Sequence, residues 1–132
     1  MYPDALVEKH RSRVREAGAP SLSSADDVND VLSDFTGVIV VNSVCGCAAN
    51  TLIPAVETVL PGLDLPAHQV FAGVDDDATA QARQRFGEHG PSSPAVVLLS
   101  DGTVTSYISR SDILTSEKDE LENKIKSSAD TV

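Results

Sequence analysis

The chain has only two cysteines, Cys45 and Cys47, and one glycine separates them. Two thiols at that spacing have three chemical uses. They exchange disulfides, they lie inert in a core, or they supply half of a metal site. The flanking residues favour the first. Val38, Ile39, Val40 and Val41 form an unbroken β-branched run that reads as a buried strand. Ala48 and Ala49 are strong helix formers, and an apolar helical pattern continues through Leu52, Val56, Val59 and Leu60. The pair therefore falls where a strand passes into a helix. A helix N-terminus offers free N–H groups and the positive end of the macrodipole, and both favour a thiolate. Cys45 is expected to have a lowered pKa and to attack. Cys47 is expected to lie inside the first turn and to resolve the disulfide formed at Cys45. Gly46, with no Cβ, is expected to supply the unusual backbone angles of a three-residue disulfide loop.

The elements that position this pair follow in order. Residues 3 to about 17 read as a helix with Leu6, Val7, His10 and Val14 on one face, ended by Gly18 and Pro20. His10 reads as a packed helix residue rather than a ligand. Ser23 or Ser24 starts a second helix that buries Val28, Val31, Leu32 and Phe35 and closes at Gly37. Pro54 predicts a kink, or a break and restart, in the helix after the cysteines. Pro61-Gly62 ends that helix. His68 to Ala72 read as a second strand. Asp75, Asp76 and Asp77 open a third helix running to Gly87, with one aspartate as N-cap. Gly90 to Pro94 form a rigid loop into the strand Ala95–Leu99. Asp101-Gly102 is a tight-turn signal, and Thr103 to Ile108 return as a hairpin. A last helix runs from Ser111-Asp112 to about Lys126, with 127–132 as a frayed tail.

The order α-α-β-α-β-α-β-β-α predicts one α/β domain over residues 1–132. Its mixed central sheet has about four strands, with helices on both faces and two extra helices at the N-terminus. A right-handed β-α-β crossover makes the first two strands parallel, and the hairpin adds an antiparallel pair. The cysteines then lie at the carboxyl end of a strand, where open α/β sheets carry their sites.

Composition narrows the class. Twenty acidic residues against ten Lys and Arg give a formal net charge of −10. That argues against nucleic-acid binding, which rests on cations neutralising phosphates. No apolar run is long enough to cross a membrane. The charged N-terminus has no apolar signal region, which predicts a cytoplasmic chain. There, paired cysteines are more often catalytic than structural. His89 stands near the 91–94 loop as a candidate site neighbour; His68 is a weaker one. Nothing in the sequence specifies an oligomeric state.

Pro94, after a short loop and before a strand, is a candidate cis proline. With it the chain resembles the thioredoxin superfamily. The resemblance is carried by the strand 38–41, the cysteine pair opening a helix, Pro54 inside that helix, Val70–Asp75, Pro94 before Ala95–Leu99, and the Asp101-Gly102 hairpin. It implies a thioredoxin-like fold, a cis Pro94 facing the cysteines, and backbone groups of Ser93 offered to an extended substrate. Three departures stand out. The spacing is Cys-x-Cys rather than Cys-x-x-Cys, Val44 replaces an aromatic, and Ile39 occupies the position of a buried aspartate.

The run Val41-Asn42-Ser43-Val44-Cys45-Gly46-Cys47-Ala48-Ala49 is more closely similar to the bacilliredoxin family. Phe71-Ala72-Gly73 and Pro91-Ser92-Ser93-Pro94 support that likeness. The resemblance implies a thiol–disulfide oxidoreductase that removes bacillithiol from mixed disulfides on client proteins, with weak disulfide isomerase activity. Cys45 and Cys47 would be catalytic, and Gly46, Ser93 and Pro94 would contact substrate. No tightly bound cofactor or metal is implied; bacillithiol is the co-substrate, and another low-molecular-weight thiol is a conceivable replacement. Two other readings remain: a disulfide isomerase or general thiol exchanger on the same residues, and a metal or iron–sulfur scaffold shared across a dimer.

Overall fold

A computed structural model describes residues 3–89 and 91–132. The β-branched run becomes β1 (Gly37–Asn42), buried along its whole length. It lies second in a four-stranded sheet of order β2-β1-β3-β4, with β2 at Ala67–Phe71, β3 at Ala95–Ser100 and β4 at Thr103–Ile108. β1 pairs parallel with β2 (Val38 opposite Ala67) and antiparallel with β3 (Val38 opposite Leu98). β3 and β4 form the expected hairpin, with an irregularity between Leu98 and Leu99. Asp101 and Gly102 both take positive φ, 50° and 80°, as a tight hairpin turn requires. A Cβ on Gly102 would stand 2.7 Å from the Ser33 carbonyl oxygen.

Strand alternation divides the core in two. Val38, Val40, Val96 and Leu98 face one side, where they meet Leu52, Ile53, Val56, Leu121 and Ile125. Ile39, Val41, Val97 and Leu99 face the other, against Val28, Leu32, Ala78, Ala82 and Phe86. Helices α1 (Asp4–Glu16), α3 (Ile53–Val59) and α6 (Lys118–Ala129) serve the first face. Helices α2 (Ala25–Leu32) and α4 (Asp76–Arg85) serve the second. The outer edge of β2 is covered where Leu22 N–H donates to Gln69 O and Gln69 N–H donates to Pro20 O.

Several expectations are corrected. Leu6 lies 37% exposed, outside the buried stripe of Val7, His10 and Val14. α2 stops at Leu32, and Gly37 opens β1 rather than closing the helix. Ser24 is its cap, accepting from Asp27 N–H. Asp75 stands at the N-cap of α4, but its carboxylate accepts from Arg11 at 2.9 Å instead of capping. The last helix is two: α5 (Arg110–Leu114), opened by a capping box of Ser109 with Asp112, and α6, opened anew by a capping box of Glu117 with Glu120. In the expected frayed segment, 127–129 complete α6 and 130–132 form a hydrogen-bonded turn after it, and Ala129 and Val132 pack against the core. No helix among the described residues is long and apolar enough to cross a membrane.

Candidate active site

Asn42, at the end of β1, is fully buried. A polar side chain there needs partners, and it has three. Its Oδ1 accepts from Ser43 N–H (2.8 Å), and its Nδ2 donates to His10 O (3.2 Å) and Gln69 Oε1 (3.0 Å). Gln69 Nε2 in turn donates to Arg11 O and Ala19 O. The buried His10 ring donates from Nδ1 to Ser43 O at 2.9 Å; a carbonyl only accepts, so Nδ1 carries the proton. His10 is the packed residue its helix position predicts, and it also anchors the loop that carries the cysteines.

That loop delivers Cys45 and Cys47, both partly buried and both free thiols, with Sγ atoms 2.8 Å apart. Ser43 Oγ accepts from Cys45 N–H and donates to Cys45 Sγ, each at 3.2 Å. Burial pushes the Cys45 thiol up. The hydrogen bonds from Cys47 and Ser43, with the backbone N–H groups of Ala48 and Cys47, outweigh it and hold Cys45 below the usual thiol range. Cys47 moves the other way. Burial raises it, and so do its hydrogen bond to Cys45 and the Cys45 charge, while the nearby Arg110 guanidinium opposes the rise. The two thiols are thus unequal: Cys45 ionises first, and Cys47 holds its proton as a donor to it.

The helix after the pair begins as a wide π turn, Ala48–Leu52, in which Ile53 N–H donates to Ala48 O. Pro54 follows directly on that π turn, one residue into α3, and the widened turn accommodates its missing N–H inside a continuous helix. The break-and-restart alternative is not observed: residues 46–59 are helical without interruption, and the backbone stays right-handed through Leu52 and Ile53. Gly46 departs from its expected role in this dithiol state. It does not take positive φ, and a Cβ there would meet only Asn50 Nδ2, at 3.8 Å.

The Ser93–Pro94 peptide is cis, and Pro94 is buried. Ser93 lines a polar cleft with Ser43, Cys45, Gly73, Arg83 and Arg110. A second hollow adjoins it and shares Arg83, Ser93 and Arg110. Ser92 Oγ accepts from Arg110 N–H at 2.7 Å and so ties the proline loop to α5. His89 lines the second hollow rather than the thiol cleft and stacks on Tyr107 at 5.0 Å. His68 lies on β2, edge-on to Phe35, outside both. A larger hollow between β4 and α6 contains no thiol. Among the described residues no group of three or more His, Cys, Asp or Glu side chains converges.

Ser43, His10, Asn42, Arg83 and Arg110 were not legible as site residues. A polar Asn-Ser directly after a β-branched run was a usable signal for the first and third. Nothing local marks the two arginines.

A protein-family model described as "Disulphide isomerase" matches residues 2–132. A bacilliredoxin of Staphylococcus epidermidis is 42% identical over 116 residues, 86% of this chain and 80% of the relative. Bacilliredoxins of Staphylococcus haemolyticus and Staphylococcus aureus are 41% and 40% identical over the same span. The chain belongs to the bacilliredoxin family. It is a thiol–disulfide oxidoreductase. The fold is shared with a solved structure described as having a thioredoxin fold (TM-score 0.64, 17% identity, 82% of this chain and 94% of that one). It is also shared with thioredoxin from Aeropyrum pernix (TM-score 0.57, 13% identity, 79% and 82%).

Proposed function

We propose that this bacilliredoxin removes bacillithiol from mixed disulfides on client proteins in the cytoplasm, with Cys45 attacking and Cys47 resolving. The observation that carries the assignment of roles is the unequal pair: a Cys45 thiol held low by Ser43, Ala48 and Cys47, with Cys47 Sγ 2.8 Å away. Membership in the bacilliredoxin family supports bacillithiol as the substrate class.

The Cys45 thiolate attacks the bacillithiol sulfur of the mixed disulfide. A Cys45–bacillithiol bond forms, the client sulfur leaves with the electron pair, and it takes up a proton. Cys47, once deprotonated, then attacks Cys45 Sγ. A Cys45–Cys47 disulfide forms and bacillithiol leaves as its thiolate. Two electrons from a further dithiol, or from two monothiols, return the pair to the reduced state. In the alternative second step a free bacillithiol attacks the adduct on Cys45 and leaves as its symmetric disulfide. Ser93 and Pro94 would hold the client segment, and Gly46 would ease closure of the small ring.

The test is intact mass of Cys47→Ala incubated with a bacillithiolated protein, with glutathionylated and cysteinylated forms as controls. One bacillithiol on Cys45, release of client thiol, and little response to the controls is the expected result. Cys45→Ala should take up nothing and release nothing. Equal adduct formation from all three substrates would instead identify a general exchanger, and a Cys45→Ala variant with full activity would overturn the assignment. The description of the matching family model favours disulfide isomerisation as a second reading. Recovery of activity by a scrambled disulfide protein, dependent on Cys45, measures it.

A further inference from the structure

The two hollows beside Cys45 have a charge opposite to that of the protein. The chain carries twenty Asp and Glu against ten Lys and Arg. Yet Arg83 and Arg110 line both hollows, His89 lines the second, and no carboxylate is among the described residues that line either. Elsewhere the arginines are engaged: Arg11 with Asp75, Arg13 with Glu57, Arg15 with Glu8, and Arg85 with Asn29. Arg83 and Arg110 pair with no carboxylate among the described residues, and Arg83 Nε is buried without a hydrogen-bond partner. A buried guanidinium N–H left unpaired is costly, and a carboxylate is the group that best matches two such forks. The thiol cleft, about 380 Å³, suits a small molecule rather than a folded partner.

We propose that Arg83 and Arg110 form a subsite for the carboxylates of an anionic low-molecular-weight thiol, holding it while its sulfur is joined to Cys45. The subsite rests on the thiol-exchange reading above and specifies which half of the mixed disulfide the protein grips. The client is then recognised mainly by what is attached to it. The covalent step is unchanged: the bond to Cys45 forms at the small thiol's sulfur, and the client sulfur leaves with the electron pair and a proton.

The probes are three mixed disulfides of one single-cysteine protein: with mercaptosuccinate (two carboxylates), mercaptoethanol (neutral) and cysteamine (an ammonium). Client release is timed with the full chain, as wild type, Arg83→Gln, Arg110→Gln and Arg110→Lys. Ratios between adducts are compared across variants, which cancels any change in Cys45 nucleophilicity. The wild type should favour the mercaptosuccinyl adduct over the cysteamine adduct by about a hundredfold, and each Gln variant should lose about tenfold of that ratio. Arg110→Lys should keep part of it. A ratio unchanged in both Gln variants, or a wild type indifferent to charge, would overturn the subsite while leaving thiol exchange standing. A wild type inert toward all three adducts would overturn the exchange reading itself.

Discussion

Ser43 hydrogen-bonds to Cys45 twice, through the Cys45 backbone N–H and its sulfur, and is a side chain able to favour the thiolate without being oxidised. Ser43→Ala removes the donor to Cys45 Sγ and so raises the Cys45 pKa. A thiol of higher pKa is less ionised at neutral pH, so client release should slow roughly threefold to tenfold there. The deficit should close in alkaline solution, where both proteins are fully ionised. Ultraviolet thiolate absorbance against pH, read beside the rate, checks both halves; an unmoved titration midpoint would sink the idea. The two cysteines were legible at this scale because their residue type carries the chemistry by itself; Ser93-Pro94 entered through the family resemblance. Ser43 was not legible, since a serine becomes a thiolate donor only when a loop folds it back onto the sulfur two residues on.

Among the elements, α1, β1 and β2 are joined under the site by the buried side chains of His10, Asn42 and Gln69. Asn42→Ala would leave Ser43 N–H and Gln69 Oε1 unpaired in a closed interior, while His10 O keeps its helical bond within α1. Each unpaired group costs about 1–3 kcal/mol, with partial relief from relaxation, so a loss of about 2–4 kcal/mol is expected in urea unfolding. A loss under about 1 kcal/mol would mean that the network does not support the loop. The strands and most helices were legible from period and caps. The division of the last helix was not, because residues 111–126 read as one amphipathic run. The break is sustained by the second capping box, in which Glu117 and Glu120 satisfy the N–H groups freed at the start of α6.

At the scale of the whole molecule, burial acts on His68 beyond the sheet edge. Desolvation lowers its pKa, and a backbone contact to Pro20 opposes this only in part. Between the folded value and the ordinary histidine value near 6.5, the unfolded chain binds more protons than the folded one. Stability should therefore rise with pH through the window just below about 6.5 and level off above it. His68→Phe, which keeps an aromatic ring against Phe35, should flatten that slope in thermal melts; the same slope in the variant would assign it to other groups. Sequence alone determined the reactive pair, the order of the elements, the parallel and antiparallel pairings, and the family, because these depend on residue type, local period and chain connectivity. Tertiary structure decided that Ser43 and Cys47 both reach the Cys45 sulfur, that His10 anchors the loop, and that Arg83 and Arg110 meet in one cleft beside Cys45. The reason is distance along the chain. His10 and Ser43 are 33 residues apart, and Arg83 and Arg110 lie on separate helices, so their meeting is set by how the layers pack.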